Sequence, residues 1–180
     1  MKQIFLVLFL SFFFTSCYTT RGLASRITSQ PVVLTKTLLT GLYENNIPDD
    51  PENSLWNDLC LHHSKKVHDP SEGNQVFLEY TDEKEIKVEL YQNNQLLDSM
   101  ILSGKPTDNY FVIRKGSHFF TLILITSTVS KKTILGNDAN ADLLLAQGIS
   151  SNTMFLESDV GDEGETITAT YMRLGDTRPN

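Results

Sequence analysis

From residue 76 onward the chain is written in a period of two. Ile86, Val88 and Leu90 alternate with Lys87, Glu89 and Tyr91, and alternation of this kind sends successive side chains to opposite faces of a strand. Val76–Tyr80 precedes it as a strand, with a turn at Asp82-Glu83. Asn93-Asn94 is a dipeptide that tolerates positive φ, so it predicts a second turn. Gln95–Ser103 reads as the return strand, broken by Gly104-Lys105-Pro106. Tyr110–Arg114 is another strand, turning at Lys115-Gly116. Phe119–Thr128 is apolar on both faces and predicts a strand covered on both sides. Thr133–Leu135, Asp142–Gln147, Thr153–Glu157 and Thr166–Leu174 complete the series. A strand roughly every 10–12 residues predicts an antiparallel up-and-down meander. A sheet of about eight or more strands tends to curl or close. The expected fold is therefore mainly β, a small barrel or strongly curved sheet.

The segment before residue 76 is less regular. Residues 37–43 predict a first strand, with a helix as competitor because Leu38, Leu39 and Leu42 also share a helical face. Residues 44–53 hold Pro48, Pro51 and several Asn and Asp, and predict a loop. Ser54 or Asn53 can cap one short N-terminal helix over about 54–62, with Leu55, Trp56 and Leu59 on one side. Residues 63–75 read as polar loop.

The first residues carry a different signal. Lys2 supplies a positive start, Ile4 to Phe14 is apolar but for Ser11, and Thr15 and Ser16 precede Cys17. The apolar run is well short of the roughly 20 residues a spanning helix needs, and matches the core of a signal peptide. Phe14-Thr15-Ser16-Cys17 resembles the lipobox of bacterial lipoproteins. That resemblance implies cleavage before Cys17, a diacylglycerol thioether on its sulfur and a further acyl chain on the new amine. It also implies an outer-membrane destination, because Tyr18 stands where an Asp would retain the protein at the inner membrane. The expected division is a signal peptide over 1–16, a lipidated tether over 17–31 and a single β-rich domain over 32–180. The meander opens on Gly41-Leu42-Tyr43, a Gly-x-aromatic strand similar to that of lipocalin-type barrels. This likeness implies a barrel able to hold a small apolar ligand.

Charge narrows the partners. The net charge is −7, and loss of Lys2 with the leader makes the remainder one unit more negative. Such a balance has no excess positive charge to neutralise phosphates, so nucleic acid is not an expected partner. Nor does it give an electrostatic pull toward anionic lipid, so membrane attachment has to come from something covalent, such as acyl chains on Cys17, or strongly apolar.

No motif points to catalysis. The chain has two cysteines, Cys17 and Cys60; with Cys17 acylated, Cys60 reads as a buried structural residue. Cys60 and His62 are two residues apart and do not face each other on a helix. There is no G-x-S-x-G elbow and no Gly-rich phosphate loop. His62, His63 and His68, with Asp69, read as solvated loop residues rather than converging metal ligands. Asp138, Asn140 and Asp142 open like a calcium loop, but Leu143 and Ile149 stand where Gly and Glu are required, so a β-turn is expected. Asp159, Asp162, Glu163 and Glu165 read as a solvated acidic hairpin loop. Phe119–Ile125 could line an apolar cavity, but sheet core is the simpler expectation. The sequence thus predicts a non-enzymatic, lipid-anchored envelope protein without a cofactor or metal. Its β domain would meet an envelope partner or, alternatively, carry an apolar ligand.

Overall fold

The computed structural model describes residues 18–47, 50–60, 67–69, 73–122, 125–155 and 158–179. Eight strands carry most of the fold: β1 (Gly41–Glu44), β4 (Gln75–Asp82), β5 (Glu85–Gln92), β6 (Gln95–Pro106), β7 (Phe111–Leu122), β8 (Ile125–Asn137), β9 (Leu143–Phe155) and β10 (Ser158–Tyr171). With the short β11 (Arg173–Gly175) they form one antiparallel sheet, in the order β10-β9-β8-β7-β6-β5-β4-β1-β11. A separate ribbon pairs β2 (Asn46–Ile47) with β3 (Asp50–Ser54), inside the stretch read as loop. Among the described residues three short helices accompany the strands, where the sequence predicts one: α1 (Thr20–Ala24), α2 (Lys36–Leu39) and α3 (Leu55–Cys60).

The meander is as expected, but the barrel is not. The sheet does not close and is not strongly curled: β10 pairs with β9, β11 pairs with β1, and β10 and β11 are the two ends of the order. Closure needs two edges of matching length. Here one edge has fourteen residues and the other three.

Several turns fall where local chemistry puts them. Asn93 and Asn94 adopt φ of 51° and 66° between β5 and β6, the geometry of a tight hairpin turn. Two expected breaks are instead parts of strands. Gly104-Lys105-Pro106 stays in β6, which changes partner there, from β5 through Ser103 to β7 from Gly104. Lys115-Gly116 lies inside β7, at an irregularity in register between Lys115 and His118. The expected strand Phe119–Thr128 is in fact the end of one hairpin: Phe119 pairs with Thr128 and Leu122 with Ile125. A glycine after a lysine serves a bulge as well as a turn, and an apolar run contains nothing to mark where it reverses.

The inner face of the sheet holds the main core. Tyr43, Leu78, Ile86, Val88 and Leu102 join Phe111, Ile113, Leu135, Leu145 and Tyr171 in one buried cluster. Tyr80 and Phe111 meet edge to face at 5.3 Å. Helix α3 adds Leu55, Trp56, Leu59 and Cys60 to the same cluster. It is held at its start as the sequence predicts: Ser54 Oγ accepts from the Asn57 amide at 3.2 Å. Buried Asn45 assists, its Oδ1 accepting from the Trp56 amide at 2.9 Å.

The outer face of β4 and β5 is closed by the end of the chain. Glu89, only 3 % exposed, pairs with Lys87 at 2.6 Å and with Arg178 at 2.9 Å, and accepts from the Tyr91 hydroxyl at 2.9 Å. Arg178 also pairs with Glu79 and lies over the Phe77 ring. Burial pushes the Glu89 carboxyl up, but the Lys87 and Tyr91 hydrogen bonds and the Arg178 charge outweigh it and hold the group below its ordinary 4.5. A depressed carboxyl adds stability that is complete above its unfolded pKa and is lost as pH falls through the folded value. Glu89→Gln is therefore expected to cost about 1–3 kcal/mol at neutral pH. The gap from wild type should close as the pH falls below the carboxyl's ordinary 4.5 and through its lowered folded value. Urea titrations at neutral and acid pH measure it; a pH-independent gap would contradict the assignment.

Candidate functional site

The residues that follow Cys17 are seated on the sheet. Thr19 Oγ1 caps α1 by accepting from the Gly22 amide at 2.9 Å. Leu23 is fully buried in a second cluster with Tyr110, Val112, Ile134 and Ala146, on the face opposite the main core; Tyr18, Ala24 and Ile27 pack against it. The stretch read from sequence as a tether thus includes a docked turn of helix.

Tyr18 is the outermost part of this seat. Its ring lies over Gly148 of β9, where an added Cβ would come within 2.5 Å of the ring, and its hydroxyl would be 2.5 Å from a Cβ at Gly164 of β10. Only residues without a side chain leave that space. Lys132 Nζ donates to the Tyr18 carbonyl oxygen. The main chain one residue beyond Cys17 therefore has a fixed place on β8, β9 and β10. Further along, the Val32 amide donates to Asn137 O and the Leu34 amide to Asp108 O, both at 2.9 Å.

Beside α1 lies an open groove of about 560 Å³, lined by Thr20, Ser103, Lys105, Thr107, Val112 and Arg114 among others. Lys105 and Arg114 are exposed. Among the described residues, no carboxylate belongs to the lining.

A second polar constellation sits under α3. Tyr171 donates to Asp58 Oδ2 at 2.7 Å, and Gln147 Nε2 donates to the Asp58 carbonyl at 2.6 Å. All three residues are buried. They tie α3 to β9 and β10, and burial leaves this carboxylate closed to a substrate. His68 borders the group. Its Nε2 is 3.6 Å from Asp98 Oδ2, its ring meets Trp56 edge-on at 6.0 Å, and its amide donates to Asn57 Oδ1 at 3.2 Å.

The residues singled out from sequence fare as follows. Cys17, His62 and His63 lie outside the described residues. Cys60 is buried at 4 % exposure in the main core. Asp138, Asn140 and Asp142 form the β8–β9 turn: Asp138 Oδ1 accepts from the Asn140 and Asp142 amides at 2.8 and 3.0 Å, and Ala141 takes φ of 67°. Those oxygens serve backbone amides. Asp159, Asp162, Glu163 and Glu165 belong to strand β10, paired with β9 across a register irregularity between Asp159 and Asp162, rather than to a hairpin loop. Among the described residues, no three His, Cys, Asp or Glu gather as a metal site, and no helix is long and apolar enough to cross a membrane.

Sequence reasoning missed the seat of Tyr18 and the cationic groove. The Leu23 and Ile27 spacing was a visible hint of a docked turn in an otherwise polar stretch. The groove joins α1 to two distant strands and left no local signal. Against known proteins, the chain matches no family profile, no curated relative and no solved structure, so its own geometry is the ground for a functional reading.

Proposed function

We propose that this chain is a lipid-anchored envelope protein, held at the membrane by acyl chains on Cys17, whose β domain works by contact rather than by catalysis. The observation that carries the reading is the order of Lys2, the apolar run Ile4 to Phe14, and Thr15-Ser16-Cys17. Two or three acyl chains give lasting attachment, because each buried CH₂ contributes about 0.8 kcal/mol. The docked segment supports the same reading. With Tyr18 seated on the sheet, an anchor at the preceding residue would hold the domain close to the bilayer in a set orientation. The outer membrane is the destination we assign, on Tyr18 following Cys17. The alternative, a carrier of a small apolar ligand, finds less support: the described inner face is packed by its own side chains, Trp56, Tyr43 and Phe111 included.

Cys17→Ser tests the anchor. Wild type should fractionate with membranes and show acyl mass on a mature form beginning at Cys17. The variant should lose that mass and either appear in the soluble fraction or remain unprocessed. Normal processing with an unchanged membrane fraction would defeat the reading.

A further inference from the structure

We propose that the groove beside α1 seats the phosphate of an anionic phospholipid headgroup, with Lys105 and Arg114 as its cations. This deepens the lipid-anchor reading and rests on it. Tyr18 is pinned to β8, β9 and β10. Tyr18, the residue that follows Cys17 in the sequence, is therefore a fixed point on the outer face. Thr20, two residues after Tyr18, already lines the groove. Acyl chains entering a bilayer from Cys17 would bring the groove to the level of the headgroups.

The chemistry of the groove suits that position. The whole chain carries −7 and as a body is not drawn to an anionic surface, so an electrostatic contact has to be local. Lys105 and Arg114 supply one, with exposed Arg21 on adjacent α1. A guanidinium offers a planar fork for phosphate oxygens and an ammonium a mobile point charge. The hydroxyls of Ser103 and Thr20 add donors, and Val112 gives an apolar wall. The volume, about 560 Å³, accommodates a phosphate with its glycerol. Glu85 pairs across from Ser103 at the margin but is not part of the lining. Soluble phosphate shares this chemistry; the groove's position beside the segment that follows the proposed anchor, Tyr18 and Thr20, decides for the lipid.

The test uses the mature protein extracted from membranes, in detergent micelles holding equal phosphatidylglycerol and phosphatidylcholine, read by native mass spectrometry. Wild type should retain phosphatidylglycerol over phosphatidylcholine by about tenfold or more. Lys105→Glu/Arg114→Glu should bring the two lipids near parity. Both positions are exposed, and a thermal melt checks the fold; Lys105→Gln/Arg114→Gln replaces the pair if reversal unfolds it. Parity in wild type, or an undiminished preference in a folded variant, overturns the proposal. Displacement of the lipid by excess inorganic phosphate overturns the lipid as the source. The same spectra weigh Cys17. Acylated protein without the preference defeats the groove alone, whereas the preference on unacylated protein supports the groove and defeats the anchor.

Discussion

Trp56→Ala is expected to lower the stability of the domain by about 3–5 kcal/mol, a large share of what a domain of this kind possesses. Trp56 is fully buried and is among the largest such side chains. It sits on α3, a helix of six residues, too short to persist without packing. The indole therefore holds the helix as well as filling the core. Its loss leaves a void between α3 and the sheet, which carries Tyr171 and Gln147, the two side chains that bond to Asp58 of the helix. The control is Trp56→Phe. Among the described residues the indole Nε1 has no hydrogen-bond partner, so replacing it removes an unsatisfied buried donor along with some volume. That change should cost less than about 2 kcal/mol. Urea titration of both variants measures the difference. A loss below about 1 kcal/mol for the alanine variant would mean that α3 is an ornament to the sheet and not its cover.

What could be read from the sequence divides along the range of the interactions. Ile86, Val88 and Leu90 alternate because one face of β5 meets the core, and that imprint is local. The Asn93-Asn94 and Asp138–Asp142 turns were equally legible, since their backbone geometry is set by the residues themselves. Ser54 announced α3 in the same way. Illegible were the features decided by distant strands. Gly104 and Gly116 looked like breaks and lie within strands, because a glycine marks both a turn and a local irregularity. The reversal between Leu122 and Ile125 sits in an apolar run with no turn residue. Closure failed as an expectation because strand spacing says nothing of edge length, and β11 is three residues long. Of the candidate site, the anchor signal lies in the first seventeen residues, while the Tyr18 seat depends on Gly148 and Gly164 far along the chain.

Arg173→Met is expected to cost about 3 kcal/mol, because one guanidinium satisfies several backbone carbonyls at once. Nη1 donates to Leu38 O at 2.5 Å and to the Tyr43 hydroxyl at 2.9 Å; Nη2 donates to Thr40 O at 2.6 Å and pairs with Asp176 at 2.9 Å. These carbonyls belong to the last turn of α2 and its end, so Arg173 caps that helix from the far edge strand. Its approach requires Gly41, where a Cβ would lie 2.7 Å from the guanidinium carbon. Tyr43 is the other half of the arrangement. Burial, countered in part by Arg173 and Asn137, pushes its hydroxyl above its usual range. It therefore stays protonated, donating to Leu39 O at 3.0 Å while accepting from Arg173 and, at 3.1 Å, from Asn137 Nδ2. Tyr43→Phe should cost about 1–2 kcal/mol on its own. The two changes strike one network, so the double variant should lose less than the sum by about 1 kcal/mol or more. Four urea titrations close that cycle. Strict additivity would mean that the guanidinium and the phenol act separately, and that β11 is fastened only by its ladder to β1 and by the Arg173 amide on Asp142. Coupling would locate the fastening of the short edge in side chains, where three residues of strand pairing are too few to provide it.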